Sequence, residues 1–195
     1  MKIHRAALAI ACTLLLAGCL PVTSKTPVGT TAGLGADEAL YGTWKGHGQG
    51  EKVDTYFHFL PGKDGTVSVI FVTPKNAADN GGWSYLTLST AKLERNRYMN
   101  AVQVSTDGLP ADESLKDSSV PILYRFGKNH RLTLYLLDED KVKEAIQAGK
   151  IAGTVEPGNF GDVKITADAA ALDAFMATPE AAELFKVFIV LKKVE

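Results

Sequence analysis

Between Tyr41 and Leu137, short runs of strand-forming residues are interrupted by turn residues every eight to twelve positions. This spacing constrains the fold more than any other feature, because it leaves room for little but antiparallel β-structure. Strands are expected at 41–48, 53–60, 66–73, 83–90, 98–105, 121–126 and 131–137. The joints Gly48-Gln49-Gly50, Pro61-Gly62-Lys63-Asp64-Gly65 and Gly127-Lys128-Asn129 supply residues that tolerate positive φ, so successive strands read as hairpin-linked. In the second strand Val53, Thr55, Phe57 and Phe59 share one face, and Asp54, Tyr56 and His58 the other, wetter face. A turn near Gln49 and Gly50 would place position 47 opposite 52, and His58 opposite Tyr41.

After Leu137 the pattern changes. Asp138 offers an N-cap oxygen, and Glu139 and Asp140 put carboxylates in a first helical turn. Val142, Ala145 and Ile146 then recur at helical spacing up to Gly149. Two further helix starts follow, at Thr166 or Asp168 and at Thr178-Pro179-Glu180, where Pro suits the first helical position. Short strands are expected at 151–155 and 163–165, and a last strand at 186–193 whose apolar run suggests burial on both faces. The class is therefore α+β, an antiparallel, hairpin-linked meander sheet with two or three short helices in the C-terminal third, or else a helix-decorated β-barrel.

At the head of the first strand, Gly42-Thr43-Trp44 resembles the G-x-W element of lipocalins, in which the Trp closes one end of the barrel. The resemblance implies a lipocalin-like partial barrel. The strand pattern equally admits a curved antiparallel sheet with helices on one face, and the final strand shows no Arg to pack on the Trp.

The chain starts with a short basic segment containing Lys2 and Arg5, followed by an uncharged run at 6–17. That run is too short to cross a bilayer core, which takes about 20 apolar residues, and it reads as a secretory signal over 1–18. Leu16-Ala17-Gly18-Cys19 resembles the lipobox of bacterial lipoproteins at all four positions. The resemblance implies that Cys19 is acylated and becomes the first residue of the mature chain, with membrane lipid as its partner. Cys12 lies inside the apolar run and would leave with the signal. Leu20 follows Cys19, whereas in enterobacterial relatives an Asp there retains lipoproteins at the inner membrane. The expected address is thus the outer membrane, with a periplasm-facing domain, although surface display stays open.

Residues 20–36 are rich in Thr, Gly and Pro, with one charge and no period. Such a segment buries too little apolar surface to offset its ordering entropy, so 19–36 reads as a lipidated cysteine and flexible tether spanning roughly 20 to 25 Å. The remainder, 37–195, is read as a single domain.

Lys plus Arg number 21 against 22 Asp plus Glu, so no net field favours nucleic acid, which is not expected as a partner. Both cysteines lie within the first 19 residues, which removes disulfides, cysteine zinc sites and a thiol nucleophile from the domain. There is no G-x-S-x-G elbow, H-E-x-x-H pair, Walker loop or dinucleotide fingerprint. Asp107, Asp112, Glu113 and Asp117 crowd one loop without the alternate spacing of a calcium site. His47, His58 and His130 are not expected to converge, so no metal, cofactor or catalytic group is assigned. Candidate contact residues are aromatic: Trp44, and Trp83 and Tyr85 within Gly81-Gly82-Trp83-Ser84-Tyr85, where glycines let a partner approach. The expectation is a non-enzymatic lipoprotein that binds an envelope protein, lipid or peptidoglycan. The alternatives are a carrier of a small apolar ligand and a hydrolase using Asp54 with His58.

Overall fold

The computed structural model describes residues 21–48, 53–75, 81–110, 117–156 and 162–194. In chain order the strands are β1 (Thr23–Ser24), β2 (Gly42–Gly46), β3 (Thr55–Pro61), β4 (Val67–Thr73), β5 (Gly82–Leu93), β6 (Asn96–Thr106), β7 (Leu109–Pro110), β8 (Val120–Gly127) and β9 (Arg131–Leu137). An insertion follows, made of α1 (Glu139–Gln147), β10 (Gly153–Val155), β11 (Val163–Ile165), α2 (Ala169–Met176) and α3 (Pro179–Glu183), before β12 (Phe185–Lys193). Asp138, Asp168 and Thr178 cap the three helices through side-chain oxygens, as their sequence positions suggested.

The meander closes on itself. β5 pairs with both β4 and β6, and β12 with both β9 and β2, so the eight long strands each have two antiparallel neighbours. The expected partial barrel, and the open curved sheet beside it, are corrected to a closed eight-stranded barrel. Closure removes the unpaired edges that an open sheet would present. The helices are confined to one insertion, so the class is the helix-decorated barrel and not a layered α+β fold.

The two barrel ends differ. At one, short turns join the strands, at Asp64-Gly65, Glu94-Arg95 and Asn129-His130, all but Arg95 with positive φ. At the other lie the connections 47–54, 74–81, 107–119 and the insertion 138–184. Alternation along the strands sends Trp44, Phe57, Phe59, Leu88, Met99 and Leu134 inward, where they form the barrel core. Their neighbours Tyr98, Leu123 and Leu137 point outward into a second core beneath the insertion.

Residues 21–36 are folded, which corrects the expected tether. β1 pairs in parallel with β11, and Ser24 bridges Ser119 just before β8. Val22 and Val28 are buried in the outer core. The Val28 N–H donates to Asn100 Oδ1 (2.7 Å), and Asn100 Nδ2 donates to the Val28 carbonyl (2.9 Å), a side-chain substitute for strand pairing. The Asp173 carboxylate accepts from the backbone N–H of Gly29 and of Thr31 and from the Thr31 hydroxyl, at 2.6 to 2.7 Å. This strap ends in a bridge between Gly35 and Thr90. Positions 1–20, including the expected signal and Cys19, lie outside the described residues.

Candidate functional site

The inward Trp44 sits at the short-turn end. A 3-10 turn, Glu38–Leu40, lies beneath it, and the indole N–H donates to the Leu40 carbonyl at 2.7 Å. Asp37 receives the Arg97 guanidinium (2.5 Å) and the Tyr124 hydroxyl (2.7 Å). The Asp37 carboxylate pushes the Arg97 pKa further up, and burial, then Asp37, pushes that of Tyr124 up. Phe126 bridges this group to Trp44, with ring centroids 6.2 Å apart, and Arg97 lies 5.8 Å over its ring. The sequence shows no Arg on the final strand, and it is Lys193 of β12 that lies over the indole, its ammonium 5.3 Å from the Trp44 ring. Gly42 makes room: its φ is +121°, and a Cβ there would meet Lys193 Cε at 2.9 Å. This end is plugged, and Trp44, only 2% exposed, is core.

The other aromatic candidates do not join it. Trp83 is 40% exposed on the outer face of β5, its backbone paired with Asp107. Tyr85 also faces outward, its hydroxyl 3.1 Å from Ser68 Oγ. Trp44 is thus on the opposite side of the barrel wall from both. Inside the wall near the long-loop end the lining turns polar: Thr55 meets Thr73, and Ser84 and Gln103 both bond Thr106.

The described surface gathers a different set of residues, over the seam where β12 meets β2. That ladder is thin, with Lys192 opposite Lys45, Lys193 opposite Trp44, and an isolated bridge from Gly48 to Ile189. Gly46 lets the strands touch there, since a Cβ would fall 2.3 Å from the Val190 carbonyl oxygen. On the outside of this seam lies a groove of about 550 Å³, rimmed by Lys45, His47, Asp54, Arg131 and Lys192 and floored by β12 from Val187 to Leu191. The final strand was expected to be buried on both faces. Instead Ile189 and Leu191 point in, while Val187 and Val190 are each 42% exposed in the groove. The register irregularity between Val187 and Ile189 shapes the floor.

The rim is electrostatically lopsided. Arg131 is directly opposite Lys192, and Lys192 directly opposite Lys45, so three cations stand in one row across three strands. Like charges facing each other across strands are destabilising. Among the described residues lining the groove, the only carboxylate is Asp54, and it is already engaged, by Lys45 at 3.4 Å and His47 at 3.2 Å. The His47 hydrogen bond first, and then Lys45, hold the Asp54 pKa below the ordinary value against the opposing pull of desolvation.

The β2–β3 register differs from the expected one by two residues: Gly46 faces Thr55 and Thr43 faces His58. His47 therefore meets Asp54, and His58 meets Thr43 (3.0 Å), so the Asp54 and His58 of the hydrolase alternative take separate partners. His130 occupies a turn with φ +54°. Among the described residues no cluster of three His, Cys, Asp or Glu is placed to hold a metal. The acidic residues 112 and 113 lie outside the described residues. Comparison with protein-family models, with curated proteins and with solved structures finds no match for this chain.

Sequence reasoning missed Lys45, Arg131, Lys192, Val187 and Val190. Their only signal is register between strands far apart in the chain, which no local pattern carries.

Proposed function

We propose that this chain is an outer-membrane-anchored lipoprotein whose barrel is a non-enzymatic, periplasm-facing binding domain, with the seam groove as its contact surface. One observation carries the binding half of this reading: exposed valines and a row of three cations, offset among the described lining residues only by Asp54 at the Lys45 end, share one concave surface. Apolar lining with a few convergent polar groups is the ordinary composition of a ligand site. The anchoring half rests on Leu16-Ala17-Gly18-Cys19. Among the described residues no helix is long and apolar enough to cross a membrane. Because Val22 is buried only three positions after Cys19, an acyl anchor would hold the barrel within about 11 Å of its attachment point. The domain then lies against the bilayer surface and does not float above it. Partners within reach are an envelope protein, a lipid or peptidoglycan.

A second reading, a lipocalin-like carrier, is favoured by the Gly42-Thr43-Trp44 element with Lys193 across the Trp in a closed eight-strand meander. Its ligand would enter from the long-loop end, toward the half-buried Phe71, Leu86 and Ile122.

The test places a photo-reactive benzoylphenylalanine at Val190, and as a control at the exposed Lys92 of β5, across the barrel from β12, in the full chain in cells. Adducts at 190 and not at 92 support the groove, and equal labelling sinks it. Small molecules released on denaturing the purified chain, with adducts absent at 190, would move the carrier reading ahead. Cys19→Ser should abolish acylation, and an intact mass still carrying acyl chains would overturn the anchor. Leu20→Asp should shift fractionation toward the inner membrane in an enterobacterial host.

A further inference from the structure

We infer that the seam groove holds the anionic headgroup of a single-chain amphiphile, a fatty-acid carboxylate or an alkyl phosphate, with the first methylenes lying on Val187 and Val190. The inference rests on the groove being the contact surface, and it names the chemistry of the occupant. Two independent features point to it. The first is the row Arg131, Lys192 and Lys45, whose facing side chains repel each other and are offset, among the described lining residues, only at the Lys45 end by Asp54. Folding gains nothing from that row, and a bound anion would relieve it while making charge-assisted hydrogen bonds. The second is the floor, where the exposed valines run along β12 directly beside the cations, with half-buried Phe188 between them in sequence. A free phosphate would use the row and leave the valines wet, and a neutral lipid would use the valines and leave the row unrelieved. An amphiphile with one negative headgroup satisfies both. The volume, about 550 Å³, falls within the range of small-ligand sites.

The full chain, reconstituted in phosphatidylcholine nanodiscs, is exposed to diazirine-bearing palmitate, diazirine-bearing hexadecyl phosphate and diazirine-bearing hexadecanol, and the labelled peptides are mapped by mass spectrometry. Both anionic probes should label the β12 peptide and the alcohol should not. Competition by millimolar inorganic phosphate without competition by palmitate would identify the source as free phosphate and overturn the amphiphile. Lys192→Glu breaks both like-charge contacts, so it should fold with a Tm at or above that of the parent while anionic labelling falls about tenfold. Lys192→Gln should fall between the two. Unchanged labelling in a folded Lys192→Glu chain overturns the inference, as does equal labelling by the alcohol. The failure of the underlying reading looks different, because benzoylphenylalanine at 190 would then capture nothing above the control, whereas a captured protein or neutral lipid would leave the groove as a contact surface and remove only the anion.

Discussion

On the flank of the barrel built by β6, β8 and β9, outward side chains such as Tyr98, Leu123 and Leu137 are apolar and lie beneath the helical insertion and the strap. On the flank built by β12 and β2, the outward positions are Lys192, Lys45, His47, Val187 and Val190, and they line an open groove. On the covered flank the Tyr98 hydroxyl donates to the Met176 carbonyl at 2.9 Å, and burial pushes its pKa up to about 12, while the Ser119 hydroxyl is buried there without a hydrogen-bond partner. The open flank stacks like charges instead. One wall of a single barrel thus serves stability, and another keeps an arrangement that costs stability, which is the expected behaviour of a surface retained for contact.

The largest effect should come from the plug that both flanks share. Trp44→Ala removes a buried indole, its bond to the Leu40 carbonyl and the seat of Lys193, and should destabilise the chain by about 4 kcal/mol in urea unfolding. A loss below ~1 kcal/mol would mean that this end is not a plug. Next comes the covered flank. Asp173→Ala deprives the Gly29 and Thr31 N–H groups and the Thr31 hydroxyl of their acceptor, and should cost about 3 kcal/mol. Protease cleavage should then appear first within 21–36. If 21–36 were a tether after all, the parent would be cut there equally fast and the variant would lose nothing.

The seam comes third. Gly46→Ala drives a Cβ against the Val190 carbonyl, and should cost about 2 kcal/mol by forcing β2 and β12 apart. Hydrogen exchange should rise along 187–191 and stay unchanged under the strap. Faster exchange on both flanks would erase the distinction between them.

Locally encoded features were legible in the sequence. Period-two alternation located β3, strand composition between turn residues located β4, and side-chain oxygens at Asp138, at Thr166 or Asp168 and at Thr178 marked helix starts, because each signal is complete within a few residues. The strap was not legible. Its composition is that of a linker, and what orders it, Asn100 and Asp173, lies 72 and 144 residues away from the backbone groups they hold. The groove was invisible for the same reason: Lys192 acquires Arg131 and Lys45 as neighbours only when the barrel closes. Trp83 and Tyr85 drew attention as a local cluster, but the wall that carries them separates their faces from that of Trp44. The sequence has no Arg on β12, and the cation over Trp44 is Lys193, whose place above the indole follows from the register of β12 against β2.

The smallest expected effect on stability belongs to Asp54, and it separates the two roles of the open flank most cleanly. The carboxylate is about one-third exposed and its partners are more exposed still, so the pairs are screened and Asp54→Asn should change stability by only about 0.3 kcal/mol at pH 7. The sign follows from its lowered folded-state pKa. The contribution is present above the ordinary carboxylate value of 3.8 and is lost as pH falls through the lower folded value, so parent and variant should converge in acid. Anion capture should move the other way. Removing the one carboxylate among the described groove residues frees Lys45 and makes the row more positive, so labelling by the anionic probes should increase at pH 7. A variant whose stability barely changes while its capture of anions rises would show that the charge of the open flank is set by its ligand and not by the fold. If capture instead fell together with stability, Asp54 would be holding the groove in shape, and the contrast between the flanks would shrink to a difference in packing.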